Sequence, residues 1–281
     1  MIRKTARDVK LIVLDLDGTL LNSKKTISSA NLAAIEAARE RGIFVTVCTG
    51  RIPEMTEAYS RLLGIKGFYI AANGAVIFDT RDNSMPYREC IDNKEAGLLL
   101  KFCAQRGFDH IAAAVDGCYY SEGSNRIKRF EQYNEIAGKD NLRQIPLHPF
   151  NSGFHSVTDM QIYKLLISGL STEEQLETGQ YIETLPRLGF TSSEHQLLDV
   201  IAPGVDKGTG VQNLARLMGI NMKEICVFGD YHNDIPMFDT AVFSVAMGNG
   251  DDAVKNRASV VTGTNDEDGV ATAIEKYFLG G

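Results

Sequence analysis

The chain is predicted to be an α/β protein: a parallel sheet flanked by helices, interrupted by an inserted α+β domain. Three observations predict it. Short apolar runs alternate with amphipathic helical patterns at both ends of the sequence, whereas the middle loses that alternation. Several of the runs end in small polar or acidic clusters, as strands do where a parallel sheet presents its carboxyl ends. With 281 residues, 44% of them hydrophobic, the length suits about two domains with a sizeable core.

Taken in order, residues 11–16 read as a buried strand, and "SSANLAAIEAARERG" (28–42) reads as a helix with a serine cap and a glycine stop. "IFVTVCTGR" (43–51) is a second buried strand. Pro53 then occupies a helix-start position and Gly64 a helix-stop position. "GFYIAANGAVIFD" (67–79) predicts two strands about an Asn-Gly turn. Between residues 83 and 196 the pattern is mixed. It predicts a capped helix at Asp92–Gln105, strands around "HIAAAVDGCYY" (110–120), a helix near 124–137 and a loop-rich stretch at 146–158. Strand "IYKLLISG" (162–169), a helix opened by the capping box Ser171–Glu174, and paired strands around 188–200 complete the middle. Regular alternation resumes after Lys207: helix 207–218, strand "EICVFGD", helix 233–240, strand "VFSVAM", helix 251–257, strand "SVVTG" and a final helix. The expected organisation is a discontinuous α/β core, 1–82 and 197–281, with an inserted α+β domain at 83–196.

Composition narrows the function. A net charge of −7 argues against broad nucleic-acid binding. Five scattered cysteines with no CxxC pair indicate neither a disulfide framework nor a zinc site, and a reducing cytoplasm is expected. The basic start "MIRKTARDVK" runs into only a short strand, and no stretch is long enough for a membrane span, so no export or membrane association is expected.

Four stretches put polar groups at strand ends or at a helix start: "DLDGT" (15–19), "TGR" (49–51), "DKG" (206–208) and "GDYHND" (229–234). A parallel sheet would gather the three that follow apolar runs at one edge. Lys207 differs, because it opens a helix. The macrodipole disfavours a cation there, so a compensating anion is expected nearby.

In this order and spacing the motifs resemble the haloacid dehalogenase (HAD) superfamily, and within it the Cof-type phosphatases, whose large cap is inserted between the second and third motifs. The resemblance covers the whole chain and implies a Rossmann-like core and a magnesium-dependent phosphohydrolase acting through an aspartyl-phosphate. Asp15 is the expected nucleophile, and Asp17 is expected to protonate the leaving oxygen and then to deprotonate water. Magnesium takes oxygen ligands, commonly one or two carboxylates with phosphate and water, which matches Asp15 and Asp230. The resemblance adds the Asp17 carbonyl. Thr49 and Lys207 complete the catalytic set, and Leu16, Thr49, Gly50, Lys207 and Asn233 are expected around the phosphate. Asn233 and Asp234 would form an outer shell that orients water and the metal-bound carboxylate.

Other residues carry plainer expectations. Arg51 reads as structural or rim, His232 as solvent-facing, and Cys48 and Cys226 as small buried apolar residues. Asn73 belongs to the Asn-Gly turn and is a weaker candidate for substrate contact. Lys164 interrupts an apolar strand and points to solvent or to a substrate cleft, and Tyr119 and Tyr120 either pack in the insert or line that cleft. Small phosphorylated metabolites are the expected substrates, with sugar phosphates ahead of flavin mononucleotide and pyridoxal phosphate. A phosphomutase shares the nucleophile and metal logic, and a phosphoacceptor signalling module combines similar residues on a shorter chain.

Overall fold

The computed structural model describes residues 8–150, 157–193 and 195–280. They fall into two compact units, one of residues up to 50, 59–87 and 206 onward, the other of 51–58 and 88–205.

In the first unit, β1 (Leu11–Leu14) is an interior strand, between β12 and β2, of a parallel sheet ordered β14-β13-β12-β1-β2. The other strands are β2 (Phe44–Val47), β12 (Ile225–Gly229), β13 (Phe243–Ala246) and β14 (Val260–Val261). All four β1 residues are inaccessible to solvent, as a strand covered on both faces requires. Burying each such aliphatic side chain contributes about 1.5–3 kcal/mol. Leu11, Val13 and Val227 face Val211 and Leu214 of α6 (Lys207–Met218) and Met237 and Phe238 of α7 (Ile235–Thr240). Elsewhere in the unit α1 (Ser29–Glu40) packs against α8 (Gly269–Ile274). Ser28 caps α1 by accepting the Asn31 amide, and α2 (Pro53–Leu62) starts at the predicted proline.

The predicted hairpin forms as β3 (Phe68–Ala71) and β4 (Val76–Asp79), but its connection is longer than a two-residue turn. Ala72 and Asn73 both have positive φ and enter a short 3₁₀ turn. β5 (Ser84–Arg88) adds a third strand.

The second unit is built on a six-stranded sheet ordered β10-β11-β9-β6-β7-β8. In chain order these are β6 (Asp109–Ala114), β7 (Gly117–Tyr120), β8 (Leu147–Pro149), β9 (Ile162–Ser168), β10 (Gly189–Thr191) and β11 (Leu197–Ile201). All its pairings are antiparallel except β7 with β8. One face packs on α3 (Asn93–Arg106) and α5 (Thr172–Glu183), burying Leu99, Leu100, Ile182, Leu165, Ile167 and Val200 together. The capping box Ser171–Glu174 is present, and Asp92 caps α3. α4 (Ile127–Lys139) begins three residues later than predicted, because Ser124 is spent on Asp109 and on the Ile127 amide ahead of the helix. Residues 51–58, which include the opening turns of α2, cluster with this unit. Tyr133 of α4 donates to the Glu54 carbonyl at 2.6 Å, and Glu57 accepts from both the amide and the guanidinium of Arg143.

The units divide near 87/88 and 205/206. The expected divisions at 82/83 and 196/197 would part strands that share a sheet: β5 from β4, and β11 from β9. Residues 151–156 of the loop-rich stretch lie outside the described residues. Among the described residues, no helix is long and apolar enough to cross a membrane.

Candidate active site

Strand order places the site. Chain progression runs from β1 outward to β2 on one side and through β12, β13 and β14 on the other, so the order reverses between β1 and β12. Ligands of open α/β sheets bind at such a switch point, outside the carboxyl ends of the strands. Asp15 follows β1 and Asp230 follows β12, and the Asp15 amide donates to the Phe228 carbonyl at 3.0 Å across that gap.

Lys207, 1% exposed at the start of α6, has the anionic company that its position called for. Its Nζ donates to Asp15 Oδ1 at 2.6 Å and to Asp234 Oδ1 at 2.5 Å. Burial works against the ammonium, but the two carboxylates outweigh it and raise its proton affinity. Asp15 is also shifted upward, by burial first and then, against the pull of Lys207, by repulsion from Asp234 and Asp230. Gly208 has to be glycine: a Cβ there would lie 2.4 Å from the Pro236 carbonyl oxygen, where α6 meets the start of α7.

Asp234 brackets the loop. Its Oδ2 accepts the amides of Asp230 at 2.8 Å and Tyr231 at 3.0 Å, while its Oδ1 is held by Lys207. Ligand atoms of Asp15, Asp230 and Asp234 all lie within 4.8 Å of one another, so the cluster could hold a metal ion. Both Asp234 oxygens are engaged by Lys207 and the loop amides, whereas Asp15 and Asp230 each keep an oxygen outside those contacts. Asp230 is pushed up to about 7, by burial and then by Asp234, although the Thr19 hydroxyl donates to its Oδ1 at 2.8 Å. Three converging carboxylates against one ammonium form a hard-oxygen, cation-poor set, and such a set fits magnesium. Gly18 completes the cradle at φ +85°, where a Cβ would lie 2.2 Å from Asp230 Oδ2. The backbone at Gly18 therefore lies directly against this carboxylate.

The other predicted residues of the first unit gather nearby. Thr49 is buried at the end of β2; its amide donates to Ile70 and its carbonyl accepts from the Asn73 amide at 3.0 Å. Asn73, buried in the left-handed conformation at φ 54°, accepts from Asn233 Nδ2 at 3.0 Å, which joins the second and fourth motifs. Leu16 is buried, and its carbonyl accepts the Leu21 amide at 2.8 Å. Asp17 is half-exposed and its Oδ1 accepts from Lys25 Nζ at 2.8 Å. His232 is 57% exposed and pairs with Asp251, while Cys48 and Cys226 are buried. Lys164 belongs to the second unit. It does not face bulk solvent: it is buried on β9 with Nζ 2.7 Å from Asp199, and Ser193 donates to the other Asp199 oxygen. Tyr119 donates to Asp116 and stacks loosely on His148.

Sequence reasoning gave no role to Thr19, Lys25 or Asn249. Thr19 sits inside "DLDGT", so the motif itself was a signal. Asn249, which donates to the Gly18 carbonyl at 2.8 Å, and Lys25 carried none.

Comparison with known proteins identifies the family. Residues 12–274 match the family model of haloacid dehalogenase-like hydrolases. The 5-amino-6-(5-phospho-D-ribitylamino)uracil phosphatase YwtE of Bacillus subtilis is 30% identical, over 97% of this chain and 99% of its own. The pyridoxal phosphate phosphatase YbhA of Escherichia coli is 26% identical over 96% and 99%. Among solved structures, the HAD subclass IIB sugar phosphatase BT4131 superposes with a TM-score of 0.78 at 27% identity, covering 96% of this chain and 99% of that one. Strand ends, buried lysine and carboxylate cluster thus occur in a chain that matches this family along nearly its whole length: it belongs to the haloacid dehalogenase-like hydrolases.

Proposed function

We propose that the protein is a magnesium-dependent phosphatase of small phosphorylated metabolites that works through an aspartyl-phosphate on Asp15. The observation that carries this reading is the convergence of Asp15, Asp230, Asp234 and Lys207 at the switch point of the sheet. Asp15 Oδ attacks phosphorus and the ester P–O bond breaks. Asp17 delivers a proton to the departing oxygen, then takes one from the water that attacks the acyl phosphate, and the Asp15 carboxylate is restored. Lys207 fixes Asp15 and carries positive charge beside the phosphoryl oxygens, while Thr49 and the Gly50 amide donate to them. Magnesium would be held by the Asp15 and Asp230 carboxylates and the Asp17 carbonyl. Bound there, it neutralises charge on the phosphoryl group. Asn233 and Asp234 keep the surrounding shell in place.

The second unit is proposed to act as the cap that selects the leaving group. The named relatives act on a ribitylaminouracil phosphate, pyridoxal phosphate and sugar phosphates, all small monoesters. We favour a sugar or polyol phosphate for this chain. The test is a phosphate-release screen over sugar phosphates, the ribitylaminouracil phosphate, pyridoxal phosphate, flavin mononucleotide and a phosphopeptide, with magnesium and with EDTA. Phosphate release equal to substrate loss, dependent on magnesium and greatest for a small monoester, supports the reading. Substrate loss without phosphate release would indicate a mutase, and a best rate on the phosphopeptide would overturn the substrate class.

A further inference from the structure

Lys25 lies outside the four motifs, yet its ammonium is 2.8 Å from Asp17 Oδ1. The backbone is arranged to hold it there. Among the described residues, Lys25 is one of seven non-glycine residues with positive φ (59°), a conformation that a side chain disfavours. Asn22 stabilises it: Oδ1 accepts the amides of Lys24 and Thr26 at 3.0 Å each, Nδ2 donates to Thr26 Oγ1 at 2.9 Å, and the Asn22 carbonyl accepts the Lys25 amide at 2.9 Å. Asp17 is fixed from its own side by the bridge that its backbone makes with Leu21. The side chains of Lys25 and Asp17 are 60% and 36% exposed, so the pair adds little to stability. Its consequence is orientation. A carboxylate with one oxygen held turns less freely about its Cβ–Cγ bond, which narrows the directions in which its oxygens are presented.

Resting on the acid–base reading of Asp17, we propose that Lys25 is a positioning residue that orients the Asp17 carboxylate for proton transfer. The test compares Lys25→Met, Lys25→Arg, Asp17→Asn and the Asp17→Asn/Lys25→Met double variant. Two substrates are needed: the alkyl monoester hydrolysed fastest in the screen above and p-nitrophenyl phosphate, whose leaving group needs little protonation. Thermal midpoints equal to wild type show that the exposed substitutions leave the fold intact. Lys25→Met is expected to lower kcat on the alkyl ester about tenfold, with KM changed less than about twofold and a much smaller loss on the aryl ester. Lys25→Arg is expected to restore most of the rate, and Lys25→Met is expected to have no further effect once Asp17 is asparagine. Equal losses on both substrates, an additive loss in the double variant, or no loss at all would overturn the proposal. The two levels separate cleanly. If Asp17→Asn slows both esters alike, the acid–base reading fails and this inference with it; if Asp17→Asn is selective and Lys25→Met is not, the inference alone fails.

Discussion

Replacing Lys207 by methionine keeps most of the buried aliphatic stem and removes the ammonium that separates Asp15 from Asp234. Two carboxylates then share a buried site, and the least unfavourable response is for one of them to bind a proton. Starting from a reference carboxyl pKa of about 3.9, holding that proton costs at most about 4 kcal/mol near pH 7 and about 1.5 kcal/mol near pH 5. The neutral-pH figure falls within the ~3–5 kcal/mol typical of orphaning a buried charge. The sign follows from linkage. The variant's folded state holds a proton that the unfolded chain releases above about pH 4, so its deficit against wild type grows as pH rises. Urea denaturation of both proteins near pH 5, 6 and 7, in EDTA so that no added cation replaces the ammonium, measures this directly. A deficit independent of pH, or below about 1 kcal/mol near neutrality, would refute the picture of one lysine compensating two buried carboxylates.

Three further outcomes are expected. Asp230→Ala should raise the magnesium concentration for half-maximal activity more than tenfold, whereas His232→Ala, at an exposed residue paired with Asp251, should change it less than about twofold; parallel titrations decide. Gly18→Ala should weaken magnesium as well, since its methyl would lie 2.2 Å from Asp230 Oδ2, and an unchanged titration would contradict the cradle. His110 is buried with Nδ1 2.7 Å from the Phe108 carbonyl, and burial holds its pKa below the usual value. The unfolded chain takes up that proton near pH 6.5 before the folded state does, so the stability linked to His110 is complete above that pH and lost below it. His110→Asn should flatten the fall of the urea midpoint between about pH 6.5 and 5.

What the sequence made legible is what local pattern controls. Residues 11–14 and 225–229 are apolar because both faces of a parallel sheet cover them, and the acids that follow are thereby delivered to the switch point. Lys207 at a helix start calls for an anion on sequence grounds alone, and two carboxylates, Asp15 and Asp234, supply it. What escaped depends on long-range pairing or on backbone conformation. β5, "SMPYR", carries a proline and alternates between exposed and half-buried, as an edge strand does, and neither feature stands out from a loop. The partner of Lys164 is 35 residues away on a strand two places later in the chain, so its burial could not be read from "IYKLLI". Lys25 meets Asp17 from a turn in which its own φ is positive, and no periodicity encodes that.

The covalent intermediate is the central claim, and borohydride trapping tests it most directly. Mixing the enzyme with substrate and magnesium, then reducing with borohydride, converts an aspartyl-phosphate to homoserine. Trypsin cutting after Lys10 and Lys24 releases residues 11–24, and fragmentation of that peptide separates Asp15 from Asp17. Homoserine at position 15, formed only with substrate and absent from Asp15→Asn, is the predicted result. Turnover with no modification at Asp15, or with modification at Asp17 instead, would contradict the mechanism.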